Sequence, residues 1–273
     1  MDPEGKPRPR RPVEGSLLAL MFGFIAIAAV GLAARRWLPP LASEHGAGID
    51  RMIHYLIVTV GTLFVAGHAV LAFFVWRFSR PGPVTSRLAS PRTERVWSLV
   101  PVALMSLIAE GGVIFLGLPV WGKLYAAPIP TEAIAVEVTG EQFAWNIRYP
   151  GPDGRFARTD PKLIADNNPL GVDREDPAAR DDRVEPAVLR LPVNRPVHIR
   201  LRSKDTIHGL FLPQFRIKQD AVPGMTIDVL FTPTRLGEFE IACAELCGLG
   251  HYQMRGLLQV MTAEDFEKWL RES

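Results

Sequence analysis

The sequence predicts membrane-crossing α-helices followed by an all-β sandwich or barrel, on three observations. A hydrophobic content of 48% hides a division: residues 16–121 are mostly apolar and residues 122–273 mostly polar. Three stretches of the first part reach the roughly 20 apolar residues that a bilayer crossing requires. In the second part, short runs alternate apolar and polar residues and are separated by proline, glycine and asparagine.

The elements follow in chain order. Residues 1–15 form a polar tail with Lys6, Arg8, Arg10 and Arg11. The first apolar stretch is 16–34. A basic start before an apolar run also resembles a signal peptide. This run is longer than a usual signal core, and Arg35 and Arg36 follow it with no clean small-x-small site. Retention as a helix is the expectation, with cleavage as the alternative. The second stretch, 52–76, carries His54 and His68, fourteen residues apart and so near one helical face. Haem ligation there would need matching histidines on a second helix, and the first and third stretches have none. Helix packing with a hydrogen bond is the expectation. The third stretch, 96–121, carries Glu110 near its middle. An ionisable group at that depth is costly and by default functional; a carboxyl bonded to a neighbouring subunit is the equal alternative. Backbone polar groups find no water inside a bilayer, so each stretch is read as a helix.

Sidedness follows from the loop between the second and third stretches. Arg77, Arg80, Arg87, Arg92 and Arg95 there stand against one acid, Glu94. The positive-inside rule puts this loop in the cytoplasm. The basic tail then lies on the same side, and everything after Trp121 is extracytoplasmic. Arg35, Arg36 and Arg51 run against the assignment. A net charge of +2 with no aromatic-interleaved basic stripe gives no sign of a nucleic-acid surface.

In the polar part, Ile134, Val136 and Val138 begin the alternation, and 142–149 continues it with aromatic residues. Val197, Ile199 and Leu201 alternate with His198, Arg200 and Arg202, which puts His198 on the surface. Further strands are expected at 226–232, 237–242 and 256–261. Residues 150–186 break the pattern with nine acids and six bases. A loop of that length is functional or simply solvated, and an acidic outer surface would suit a basic partner. A short helix from Ala263 closes the chain, capped by Thr262 with Asp265 three residues on.

One segment carries the chemistry. Cys243, Glu245, Cys247, His251 and Met254 fall within twelve residues, and His208 lies upstream, at the expected end of the strand from Pro196. Thiolate, imidazole and thioether together select copper over hard metals. A blue-copper site uses two histidines, one cysteine and a weak axial methionine; the second cysteine here allows two thiolates to bridge two ions. A disulfide and a Cys₂His₂ zinc site are the alternatives. Neither uses Met254 or Glu245.

The loop C-A-E-L-C-G-L-G-H-Y-Q-M resembles the CuA loop of cytochrome c oxidase subunit II. So do Asp205-Thr-Ile-His208, Ile217-Lys-Gln-Asp220-Ala-Val-Pro223-Gly224, Glu94-Arg-Val-Trp97 with Pro101, and Gly140-Glu-Gln142-Phe-Ala-Trp145. The likeness covers roughly residues 50–270. It implies a Greek-key cupredoxin domain with a dinuclear CuA centre. Cys243 and Cys247 would bridge, and His208, His251 and Met254 would be terminal ligands. Glu245 would supply its backbone carbonyl, and its carboxylate would reach a magnesium at the interface with subunit I. Glu94 matches a carboxylate at the mouth of a proton-uptake path; a favourable charge at a helix start is the alternative. The resemblance implies a multi-pass subunit of the cell or inner membrane that takes electrons from cytochrome c and passes them to haem in subunit I, where oxygen becomes water.

The departures are specific. The family commonly has two helices where this chain has three apolar stretches. Phe143 stands where relatives receive electrons on a tryptophan, so Phe143 or Trp145 is expected in that role. Met225 replaces the usual arginine after Pro-Gly, and no C-x-x-C-H is present. Other readings are a nitric oxide reductase subunit, a metal-free quinol-oxidase subunit and a tethered copper carrier. The two cysteines argue against the second. Glu94 and Glu245 argue against the third.

Overall fold

The computed structural model describes residues 13–35, 37–79 and 90–272. Lys6, Arg8, Arg10, Arg11, Arg36, Arg80 and Arg87 lie outside the described residues. The chain divides into a helical unit and a second unit that joins Leu38–Ile49 to Pro119–Ser273.

The helical unit contains α1 (Val13–Ala33), α2 (Gly46–Phe78) and most of a third span, Pro91–Ala126. All three are long and apolar enough to cross a membrane, with mean hydropathies of 2.4, 2.1 and 2.1. The third span is α-helical over α3 (Pro91–Met105), widens into a π-helical turn at Ser106–Glu110, and resumes as α4 (Gly111–Trp121). A second π-helical turn follows at Gly122–Ala126. Each helix starts before its apolar run, and for α3 the polar flank caps the start. Ser90 accepts a hydrogen bond from the Thr93 amide at 3.2 Å, and Pro91 takes a first-turn position that needs no donor. His68 is a packing residue: its Nδ1 bonds the Phe64 carbonyl one turn back at 2.9 Å, and its ring meets Phe64 and Phe22.

The second unit is built on two five-stranded sheets. The first contains β1 (Ile134–Glu141), β2 (Ala144–Tyr149), β3 (Arg183–Pro186), β5 (Val197–Ser203) and β8 (Ile227–Phe231), in the order β3-β2-β1-β5-β8. The second contains β4 (Val188–Pro192), β6 (His208–Leu212), β7 (Ile217–Ala221), β9 (Gly237–Cys243) and β10 (Arg255–Met261), in the order β4-β10-β9-β6-β7. The pairs β1–β5 and β4–β10 are parallel and the others antiparallel. The inward residues of the first sheet, Val136, Val138, Ile147, Ile199 and Leu201, share a core with Leu189, Leu191, Leu210, Ile241 and Leu258 of the second. Full burial of each such aliphatic side chain contributes about 1.5–3 kcal/mol. Here α5 (Ala263–Arg271) is capped by Thr262 and closes one edge by packing Phe266 and Trp269 against Tyr149.

Two features depart from the expected outline. His208 does not end the strand from Pro196; it opens a separate strand, β6, in the opposite sheet. The expected strand at 142–149 begins at Ala144, because Gln142 and Phe143 form the turn from β1 to β2.

The excursion at 150–186 is ordered, and its carboxylates are largely used internally. Asp153, Asp160, Asp173 and Asp176 accept hydrogen bonds from backbone amides of their own turns. Asp182 reaches the buried Arg148, which also pairs with the buried Glu137. His198 faces outward from β5 and pairs with Asp228 at 2.6 Å.

The segment Leu38–Ile49 lies on the β domain. The Ala42 amide donates to the Gln214 carbonyl at 2.8 Å, and the Thr234 amide donates to the Ala42 carbonyl at 2.9 Å. Ser43 Oγ donates to the Phe215 carbonyl at 2.7 Å, and an Arg216 guanidinium nitrogen donates to the Pro39 carbonyl at 2.7 Å. Ala42 and Ser43 are buried.

Candidate metal centre

Three connections converge at the site: the β1–β2 turn, the β5–β6 loop, and the long loop 244–254 between β9 and β10. Main-chain bonds set the frame. The Ala244 amide donates to the Gly209 carbonyl at 2.9 Å, and the Cys243 amide donates to the Met254 carbonyl at 3.2 Å. The loop therefore leaves β9 beside β6 and returns to its own starting point.

Every donor singled out in the sequence is drawn into this frame. Cys243 and Cys247 are free thiols with sulfurs 3.9 Å apart. His208 Nδ1 lies 3.1 Å from Met254 Sδ, and Cys247 Sγ lies 3.8 Å from the same thioether. His251 Nδ1 is 3.6 Å from Cys247 Sγ. The Glu245 carbonyl is 3.2 Å from Cys243 Sγ. His208, Cys243 and Cys247 present ligand atoms within 4.8 Å of one another. His208, Cys247 and Met254 are buried, and Cys243 is half-buried. Soft sulfur and imidazole donors, with no carboxylate oxygen grouped with them among the described residues, fit copper.

Burial and hydrogen bonding act on the donors in different ways. Burial and the neighbouring Cys243 thiol push the Cys247 thiol up to about 11. A bound cation would have to displace that proton. His208 Nε2 lies 2.8 Å from Asp205, which leaves Nδ1 to face the sulfurs. Burial pushes the Asp205 carboxyl up, but its bonds to His208 and to the Gln142 and Thr206 amides outweigh burial and hold it below the usual carboxylate range. Asp205 and Gln142 entered the sequence reading only as flanks of motifs, and their contacts now give them work. Gln142 Nε2 donates to the Cys247 carbonyl at 2.5 Å.

The aromatic pair separates in space. Phe143 is partly exposed and rests on the metal loop: a side chain on Gly250 would stand 2.4 Å from its ring. Trp145 is fully buried, with its ring edge-on to His208 at 6.1 Å between centroids. The Glu245 carboxylate points away from the sulfurs and pairs with Lys218 at 2.6 Å, and Lys218 also reaches Asp220 at 3.1 Å. Glu94 is exposed in the first turn of α3.

The chain is similar to known proteins along most of its length. Residues 134–261 match the family model for the periplasmic domain of cytochrome c oxidase subunit II. The chain is 35% identical over 261 residues to the alternative cytochrome c oxidase subunit 2 of Bradyrhizobium diazoefficiens, across 93% of this chain and 91% of that protein. It is 28% identical over 249 residues to cytochrome c oxidase subunit 2 of Cereibacter sphaeroides, across 86% and 78% of the two chains. Among solved structures, the periplasmic domain of subunit II of cytochrome oxidase from Bradyrhizobium japonicum is 27% identical, with a TM-score of 0.39 over 53% of this chain and 96% of that one.

Proposed function

The chain belongs to the cytochrome c oxidase subunit II family, and on that premise we propose that it is the electron-receiving subunit of a terminal haem–copper oxidase, with a dinuclear copper centre in its extracytoplasmic cupredoxin domain. The observation that carries the reading is the meeting of two free thiols, 3.9 Å apart, with two imidazoles and a thioether. One thiolate suffices for a single blue-copper ion; a pair of thiolates suits two ions that share bridging ligands. In this assignment Cys243 and Cys247 would supply the two shared thiolates, and His208, His251 and Met254 would each hold one ion. Glu245 contributes its backbone carbonyl.

A copper pair held there supplies reversible one-electron chemistry, with the charge shared over two ions. The protein's own part is to fix the donors and to shape the approach. Asp205 holds the His208 ring through Nε2. Gln142 ties the Phe143 turn to the loop at Cys247. Phe143, partly exposed and seated on the loop, is where electrons from cytochrome c arrive. Trp145 stands behind His208 and fills the space away from solvent. Electrons then pass to haem in subunit I, where oxygen is reduced. Glu94 fits the mouth of a proton-uptake path. A magnesium at the subunit I interface would find one carboxylate here, Glu245, already paired with Lys218. Magnesium requires near-octahedral oxygen ligation, so its other ligands would come from the partner.

Electron paramagnetic resonance of the full chain, loaded with copper in detergent, tests the centre. The expected spectrum shows one unpaired electron split by two copper nuclei and is lost in Cys247→Ser. A single-copper spectrum, or binding of zinc in preference to copper, would overturn the assignment.

A further inference from the structure

The third membrane span has two unlike faces. Ala109, Gly112, Val113, Leu116 and Gly117 recur three and four residues apart and are buried or half-buried. This face meets α2. The Tyr55 hydroxyl donates to the Ile108 carbonyl. The Tyr55 ring occupies the place a side chain on Gly112 would take, and Met52 Sδ comes within 3.2 Å of the corresponding position on Gly117. The other face exposes Leu107, Ile114, Phe115 and Leu118. Among these apolar residues stands Glu110, also exposed, with no partner among the described residues.

The geometry explains why Glu110 faces away from α2. Residue 110 is two positions from both Ile108 and Gly112, which is about half a helical turn from the face they mark. The π-helical turn at Ser106–Glu110 is bonded to α2 through Tyr55 at the Ile108 carbonyl. Such turns are rare and often occur at functional positions. Glu110 is also the only charged residue between Arg95 and Lys123, and it lies close to midway between them.

We infer that Glu110, on this face, receives a hydrogen-bond-donating side chain from a transmembrane helix of the catalytic partner at mid-membrane. The inference rests on the oxidase-subunit reading above. Lipid chains offer no donor, and water does not reach this depth, so a carboxyl facing lipid would stay unsatisfied. A second copy of this face would pair carboxyl with carboxyl, and a substitution here would then leave the haem partner in place. The surrounding leucine, isoleucine and phenylalanine side chains supply the packing surface that association within a bilayer depends on.

The test uses the whole oxidase carrying Glu110→Leu or Glu110→Gln, isolated in mild detergent through a tag on this chain. The readouts are haem absorbance per chain, for the retained partner, and copper per chain, for an intact β domain. Glu110→Leu is expected to lose haem several-fold with copper unchanged, and Glu110→Gln, which keeps an acceptor, to retain most of it. Equal haem in wild type and Glu110→Leu would overturn the inference alone. A wild-type chain that brings down no haem protein would overturn the oxidase reading, and this inference with it.

Discussion

Asp205 shows how one side chain can set a metal site without touching the metal. One oxygen accepts from the Thr206 amide and faces His208 Nε2; the other accepts from the Gln142 amide at 2.7 Å. It therefore fixes the imidazole that must present Nδ1, and the turn that carries Phe143. Loss of such an outer partner commonly weakens metal binding about 10–100-fold. Asp205→Ala is expected to weaken copper retention by about that factor, with Asp205→Asn milder, as read by competition with a copper chelator. Unchanged retention would mean that packing alone orients His208. The proposed ligands were legible in the sequence because two cysteines, a histidine and a methionine within one short segment are a rare combination of soft donors. The work of Asp205 was not, because an aspartate in a turn is ordinary until its three partners are known. The difference between Phe143 and Trp145 was also hidden. Both sit in one aromatic run, but the turn at Gln142–Phe143 puts one side chain at the surface and the other in the core.

Among the elements, strands were legible where one face meets a different environment from the other. Strand β5 reads Val-His-Ile-Arg-Leu-Arg with buried and half-buried residues alternating. Strand β6, His-Gly-Leu-Phe-Leu, is buried at four of five positions, so the period-two signal vanishes. The polar excursion was misleading in another way. Its acids look like a charged surface in composition, but many cap their own turns, and Asp182 turns inward to Arg148. Arg148 bonds Glu137 through Nε at 2.9 Å, Asp182 at 3.3 Å and the Ala157 carbonyl at 3.1 Å, and all three side chains are buried. It thus pins the excursion to the outer face of the first sheet. Arg148→Met would strip two buried carboxylates of their shared cation, although Glu137 keeps Arg200 at 3.2 Å. Breaking a buried pair in this way costs about 3–5 kcal/mol. Thermal unfolding is expected to show a loss of that order, with early proteolysis within 150–182. A midpoint within a degree or two of wild type would show that the excursion is held by its own turns.

For the whole molecule, the fold bears on sidedness in a way that charge counting does not. Arg35 and Arg51 oppose an outward connection between α1 and α2 under the positive-inside rule. The hydrogen bonds between Pro39, Ala42, Ser43 and Glu44 on one side and Thr232, Thr234 and residues 214–216 on the other favour it, because they make that connection part of the β domain. A peptide cannot lie buried in an extracytoplasmic domain and also sit in the cytoplasm. The α1–α2 connection must therefore share a side with the copper site. By the same reasoning α2 is expected to run inward, the connection to α3 to be cytoplasmic, and the third span to run out again. Three arginines near that inner connection, Arg77, Arg92 and Arg95, agree. A few arginines on the wrong side carry less weight than a set of main-chain hydrogen bonds that would otherwise be broken. Single cysteines test this in copper-loaded cells, where the native thiols are occupied. An impermeant maleimide applied to intact cells is expected to label Glu44→Cys, which is exposed, and to label Ser90→Cys only after the membrane is opened. Labelling of Ser90→Cys from outside would reverse the third span and separate Glu94 from the cytoplasmic proton supply. Protection of Glu44→Cys until the membrane is opened would instead mean that the segment leaves the β domain in the membrane, and that α1 and α2 insert with the opposite sense.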